Sequence, residues 1–211
     1  MRVGDAAEAA LWIKKSNEQL YVGTTRDIYR MDGDWTLRPD GTVNVTKRPL
    51  GLTMPPIGAA VTVGTVGATD ILVYLSSGGW KILGGPLLTA EAVDLLWRGF
   101  TRHGVSSVNV ASGRFRCAIT KGVFYAITPE GSSTTSSAVI HVYSFRLQRW
   151  YRFTYTSTWR ALFTEPDGTL IASDSSGFVW TLDSATKQDD GANIPIVLWT
   201  HADDNSEPFT S

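Results

Sequence analysis

A chain of 211 residues that is 43% hydrophobic, 11% aromatic and only 18% charged is long enough to bury a core and too apolar to remain disordered. Its 19 basic and 20 acidic residues leave a formal net charge of -1, which excludes long-range attraction for DNA or an anionic membrane and leaves only local contacts with either. The single cysteine, Cys117, excludes an intrachain disulfide framework or a Cys-based zinc site within one chain and reads as a small core hydrophobe.

The opening stretch MRVGDAAEAALWIKK lacks the apolar segment of a signal peptide, and nowhere do about 18 apolar residues run together, so a soluble chain is expected. Asp5 followed by Glu8 resembles a capping box ahead of residues 9–13, while the alternation Leu11-Trp12-Ile13 equally begins a strand. From there a hairpin recurs: a short apolar strand, a turn rich in Ser, Thr, Gly or Asp, and a second strand carrying an aromatic. Residues 20–25 lead to 28–32, 71–75 to 80–82, 115–119 to 123–127, and 170–174 to 178–183. Their ends at Met31, Leu83, Ile127 and Leu182 lie 52, 44 and 55 residues apart, near the roughly 40 to 50 residues of a four-stranded propeller blade.

Between these hairpins, the Gly64-Thr65-Val66-Gly67-Ala68 stretch lacks the Lys of a phosphate loop and reads as a turn. Thr89 as N-cap, the apolar Ala92, Val93 and Leu96, and Gly99 as a stop predict one short helix over 89–98. Residues 131–137 are too polar to pack and read as an exposed loop. The fullest unit, 138–183, has strands at 139–143, 150–154 and 159–163 before the last hairpin, an apparent blade of about five strands. The fold expected is all-β, with repeated antiparallel blades in a β-propeller-like arrangement and that one helix. Residues 1–188 form the propeller-like domain, and 189–211 a terminal strand and tail. A strand over 194–200 needs a partner: it closes the first blade, pairs with another subunit, or begins a further domain.

Candidate chemistry is sparse. His103, His141 and His201 have no Asp, Glu or His at ligand spacing, and neither a nucleophile elbow nor a phosphate loop occurs. Asp94, Glu130, Glu165 and Asp174 could supply a glycosidase pair, but nothing in the sequence pairs them, and turn or cap roles explain most of them. The string Ser-Asp-Ser-Ser-Gly-Phe-Val-Trp at 173–180 invites comparison with the sialidase Asp-box, its Asp displaced by one position; such a box marks a fold rather than a catalytic group. Asn44-Val45-Thr46 fits a glycosylation acceptor only by chance without a secretion signal. No enzyme activity, metal or cofactor is expected.

The most interaction-like stretch is 145–153, Phe-Arg-Leu-Gln-Arg-Trp-Tyr-Arg-Phe. Alternation puts Trp150 and Arg152 on one face and Tyr151 and Phe153 on the other, one set toward the core and the other stacking Arg on aromatic edges; Arg and Trp are favoured interface anchors. The candidate interface is therefore Arg149, Trp150, Tyr151 and Arg152, joined by Ile196, Leu198 and Trp199 of the terminal strand; a blade strand with a solvated face is the plainer alternative.

Several strings resemble the β-propeller proteins of tailed-phage necks and tails, the nozzle and hub proteins. They are Asn17 to Thr24 with Ile28-Tyr29, Leu37-Arg38-Pro39-Asp40 before 43–47, Pro55-Pro56 before 61–66, Val142-Tyr143 with Arg149-Trp150, and Asp189 to Thr200. The resemblance spans about residues 11–205. It implies a virion structural protein of the head-to-tail connector or tail, made in the host cytoplasm. Such a subunit rings the DNA channel, contacting copies of itself and other neck or tail proteins, with DNA at most a transient partner and no membrane anchor. A carbohydrate- or host-surface-binding propeller using Trp35, Trp97 or Tyr155, and less favoured a sialidase-type hydrolase, are the alternatives.

Overall fold

The computed structural model describes residues 8–16, 18–76, 79–84, 115–127, 137–147, 149–182, 188–189, 192–193 and 196–197. For Asp34, Ser137, Ala138, Arg149, Arg152, Thr156 and the last three pairs it describes the backbone alone. The helix expected over 89–98 lies outside the described residues.

Four strands form sheet I: β1 (Ala10–Ser16), β2 (Gln19–Thr24), β3 (Ile28–Asp34) and β4 (Asn44–Pro49). Sheet II contains β5 (Pro56–Val66), β6 (Thr69–Ser76) and β7 (Gly79–Gly84). Sheet III runs through β8 (Arg116–Thr120), β9 (Val123–Ile127), β10 (Ser137–Ser144), β11 (Arg149–Thr164), β12 (Leu170–Asp174) and β13 (Val179–Leu182). Two short strands, β14 (Gln188–Asp189) and β15 (Ala192–Asn193), pair with each other, and β16 (Ile196–Val197) pairs with β11. Within each sheet the strands follow chain order and pair antiparallel, as closely spaced hairpins require. Tight turns fit their residues: Lys121 and Gly122, at φ +49° and +71°, make the two-residue loop between β8 and β9, the twist-matched turn with both central residues left-handed.

The apolar run Ile71-Leu72-Val73-Tyr74-Leu75 explains how the sheets stack. A strand covered on one face alternates apolar with polar, whereas one covered on both is apolar throughout. In β6, Ile71, Val73 and Leu75 join Trp80 and Ile82 of β7 and Phe115, Cys117, Ile119, Phe124 and Ala126 of sheet III in one core. On the opposite face Leu72, Tyr74 and Leu83 pack with Trp12, Tyr21 and Ile28 of sheet I. Sheet II is thus a middle layer.

β11 makes a third face-to-face joint inside sheet III. Its residues 149–154 pair with β10 and its residues 159–164 with β12; on the β10 side the register jumps from Val139↔Thr154 to Ser137↔Trp159. Past this irregularity the strand turns a corner. Trp159, Leu162, Leu170, Ala172 and Leu182 then close over Ala118, Tyr125, Ile127, Ile140 and Val142. The Thr164 hydroxyl donates to the Ile119 carbonyl at 3.0 Å, and the Thr120 hydroxyl donates to the Gly168 carbonyl. The strands expected at 150–154 and 159–163 are one strand: Tyr155-Thr156-Ser157-Thr158 contains no Gly or Pro to break it, and Thr favours extended backbone.

The first strand of each unit lies beside the next: β1 along β5, β5 along β8, and β8 along the second half of β11. Gly64 sits within β5, where a Cβ would come within 2.5 Å of Ile119 Cγ2. Its missing side chain lets β5 approach β8, so the turn expected at 64–68 begins only at Gly67. Residues 9–13, open between helix and strand in the sequence, enter β1, whose Trp12 lies directly over Gly23 of β2.

Candidate protein interface

Of the seven residues picked out as an interface, Trp150 and Tyr151 can be followed through their side chains. Trp150 is half-buried and packs on the sheet II–sheet III core, tilted against Tyr143 at 5.2 Å and edge-on to Phe124 at 6.2 Å. Tyr151 and Phe153 pack on the opposite core beside Trp159. Trp150 thus lies on one face and Tyr151 and Phe153 on the other, but both faces meet a core, where the sequence placed only one set toward it. The backbone of Arg149 and Arg152 lies in β11; Ile196 pairs with Phe153 and Val197 with Arg152 in the same chain, while Leu198 and Trp199 lie outside the described residues.

A different surface stays open. The second half of β11 with β12 and β13 uses one face for the core around Trp159 and turns Phe163, Ile171 and Thr181 in one row, and Ala161, Ser173 and Val179 in the next, the other way. On and beside this face Phe163 is 47% exposed, Val179 68% and Phe178 63%, while Ile171 between them is buried, an apolar cluster at one of the two ends of the stack. The sequence signal was present in the adjoining Phe178-Val179, but a hairpin strand looks the same whether or not another sheet covers it.

The turn behind this face is built on Asp174. Its Oδ1 accepts the backbone N–H of Ser176 and of Phe178, each at 2.9 Å, and its Oδ2 accepts the Trp180 indole N–H at 2.9 Å. The displaced Asp of the box-like string therefore locks the β12–β13 hairpin. The Trp180 hydrogen bond, followed by the backbone donors, holds its carboxyl below the ordinary 3.8. Because the folded value is the depressed one, its stabilisation is complete above the unfolded pKa and is lost as pH falls through the folded value. Acid titration of wild type and Asp174→Asn, followed by circular dichroism, should give curves that diverge above about pH 4 and converge below it; parallel curves would deny the carboxylate this role.

Other polar residues stay apart. His141 is buried in β10, while His103 and His201 lie outside the described residues. Of the four carboxylates considered, Glu165 is exposed in the β11–β12 turn, Asp174 holds its hairpin, and Asp94 and Glu130 lie outside the described residues. Trp35 is exposed, Tyr155 stacks edge-on to Trp159 at 5.1 Å, and Trp97 lies outside the described residues. Among the described residues no group of three or more His, Cys, Asp or Glu is placed to hold a metal ion. No protein-family model matches the chain, and no curated protein matches it.

Proposed function

We propose that this chain is a structural assembly subunit, propeller-like in architecture and without chemistry of its own, that builds the connector or tail of a phage particle around its DNA channel. The observation that carries the assembly reading is the uncovered apolar face bearing Phe163 and Val179, at the end of a series of sheets joined face to face. Propeller blades are chain-ordered antiparallel sheets packed in this way, and the side-by-side first strands are in keeping with them. Among the described residues β1, at one end of the row, forms no ladder with β11 at the other. A subunit with an uncovered end completes itself on a neighbour, and head-to-tail contact of this kind closes into a ring when the rotation between neighbours divides the full circle. The strings at 17–24, 37–40 and 142–150 resembling neck and tail proteins narrow the assembly to a virion.

Light scattering with negative-stain imaging of the purified chain tests the reading. Discrete rings are expected, and the double variant Phe163→Ser, Val179→Ser should fall to the 23.0 kDa monomer while keeping its circular dichroism. A wild-type chain that stays monomeric, alone and with purified neck and tail proteins, would overturn it. Glycan-array binding abolished by Trp35→Ala would replace it with the carbohydrate-binding reading.

A further inference from the structure

Most of the large hydrophobic side chains that stand exposed among the described residues lie in two places. One is the open face with Phe163, Phe178 and Val179; the other is the link between β3 and β4, where Trp35 is 50% exposed, Leu37 68% and Val43 38%. This link is an arm held by its own hydrogen bonds. It continues past the last β3–β4 pair, Asp34↔Asn44, and Pro39, its φ fixed by the ring, opens a reverse turn. There the Gly41 N–H donates to the Arg38 carbonyl at 2.9 Å and the Arg38 N–H to the Thr42 carbonyl at 2.8 Å. Asp40 Oδ1 accepts the Thr42 N–H at 2.9 Å and its hydroxyl at 2.7 Å, while Gly41 supplies a left-handed φ of +77°.

The two patches belong to opposite ends of the row, the arm to sheet I and the face to the β12–β13 hairpin. An apolar projection that fits a patch elsewhere on the same molecule joins copies head to tail. Charge points the same way. Residues 35–49 carry Arg38, Lys47 and Arg48 against Asp40, whereas residues 160–182 carry Glu165, Asp167 and Asp174 against Arg160. Part of this charge is met within the chain: Arg48 lies 3.3 Å from Asp32, and Lys121 stands near Asp167. Arg38 and Glu165, both exposed, have no ion pair with the described residues. Arm against arm would bring cations together, and face against face would bring carboxylates together; arm against face opposes the signs.

We infer that the β3–β4 arm of one copy docks on the open face of the next, with Trp35 and Leu37 packing against Phe163 and Val179 and Arg38 meeting Glu165. The inference rests on the assembly reading and names the partner of that same face. A preformed arm gives up little conformational freedom on docking, and Trp and Arg are favoured anchors.

Two blocked variants of the full chain, followed by light scattering and sedimentation, decide the matter. The arm variant carries Trp35→Ser and Leu37→Ser and keeps its face; the face variant carries Phe163→Ser and Val179→Ser and keeps its arm. Each alone should stay at the 23.0 kDa of one chain, and an equimolar mixture should form a one-to-one heterodimer of twice that mass. Nothing larger should appear, because the arm variant offers no second arm and the face variant no second face. Leu147→Ser, which removes an exposed leucine from the β10–β11 turn, should leave wild-type assembly unchanged. Circular dichroism of each variant separates lost docking from lost folding. An arm variant that assembles as wild type does would overturn the inference and leave the assembly reading standing, as would two folded monomeric variants whose mixture stays monomeric. A wild-type chain that never assembles would overturn both.

Discussion

Replacing Trp80 with Ala should lower the stability of the chain by about 3–5 kcal/mol, the usual cost of removing a large aromatic side chain from a core. Trp80 stands fully buried on β7, and its ring meets Phe124 edge-on at 5.0 Å and Phe115 at 6.2 Å. Those two partners belong to the sheet III side of the joint, so truncation opens a void between two sheets rather than within one. Edge-on aromatic pairs add about 0.5–1.5 kcal/mol beyond burial, which puts this site at the high end of the range. Urea unfolding followed by far-ultraviolet circular dichroism is the measurement: the midpoint should fall with little change in slope. Trp35→Ala, at an exposed position, should stay within about 0.5 kcal/mol of wild type. A Trp80→Ala protein as stable as wild type would mean that sheets II and III do not depend on this contact.

Asp27→Ala is expected to cost about 3 kcal/mol, because each buried donor left without an acceptor costs about 1–3 kcal/mol. The buried Asp27 carboxylate accepts the backbone N–H of Ile28 at 2.7 Å and of Leu52 at 3.1 Å on Oδ1, and of Gly51 at 2.8 Å on Oδ2. It fastens the β2–β3 hairpin to the chain leaving β4, while Thr24 folds the same turn by donating from its hydroxyl to the Asp27 carbonyl at 2.9 Å. At about 2–4 °C per kcal/mol for a chain of this size, the melting temperature should fall by roughly 6–12 °C. Asp27→Asn keeps one acceptor oxygen and should fall about halfway, so calorimetric melts that rank the three proteins in any other order would contradict this account of the turn.

Much of the architecture was readable beforehand because it rests on local chemistry. The apolar runs at 71–75, 115–119 and 170–174 stand out as hairpin strands, and the Ser, Thr, Gly and Asp residues after them mark where the chain reverses. The corner in β11 was not readable: Tyr155-Thr156-Ser157-Thr158 has the composition of a straight strand, and the bend comes from which neighbour each half pairs with. Gly64 misled for a related reason, since glycine is needed both for turns and for close approach, and only the position of Ile119 distinguishes the two. Asp174 was noticed as a displaced box residue, but its bond to the Trp180 indole depends on how the hairpin folds. Thr24 and Asp27 signal a turn in sequence, yet the reach to Gly51 and Leu52 spans two strands and a long connection.

Sheet II, with one core on each side and almost no polar face, has a further consequence for how the chain loses structure. A stack in which each layer leans mainly on its sequence neighbours behaves as a one-dimensional chain of coupled units. Its ends have one coupling each and its middle has two. Fraying therefore starts at sheet I or at the β12–β13 hairpin and moves inward, while β6 exchanges its amide protons last. A partner that covers the outer hairpin would slow the same process from that end without touching the interior.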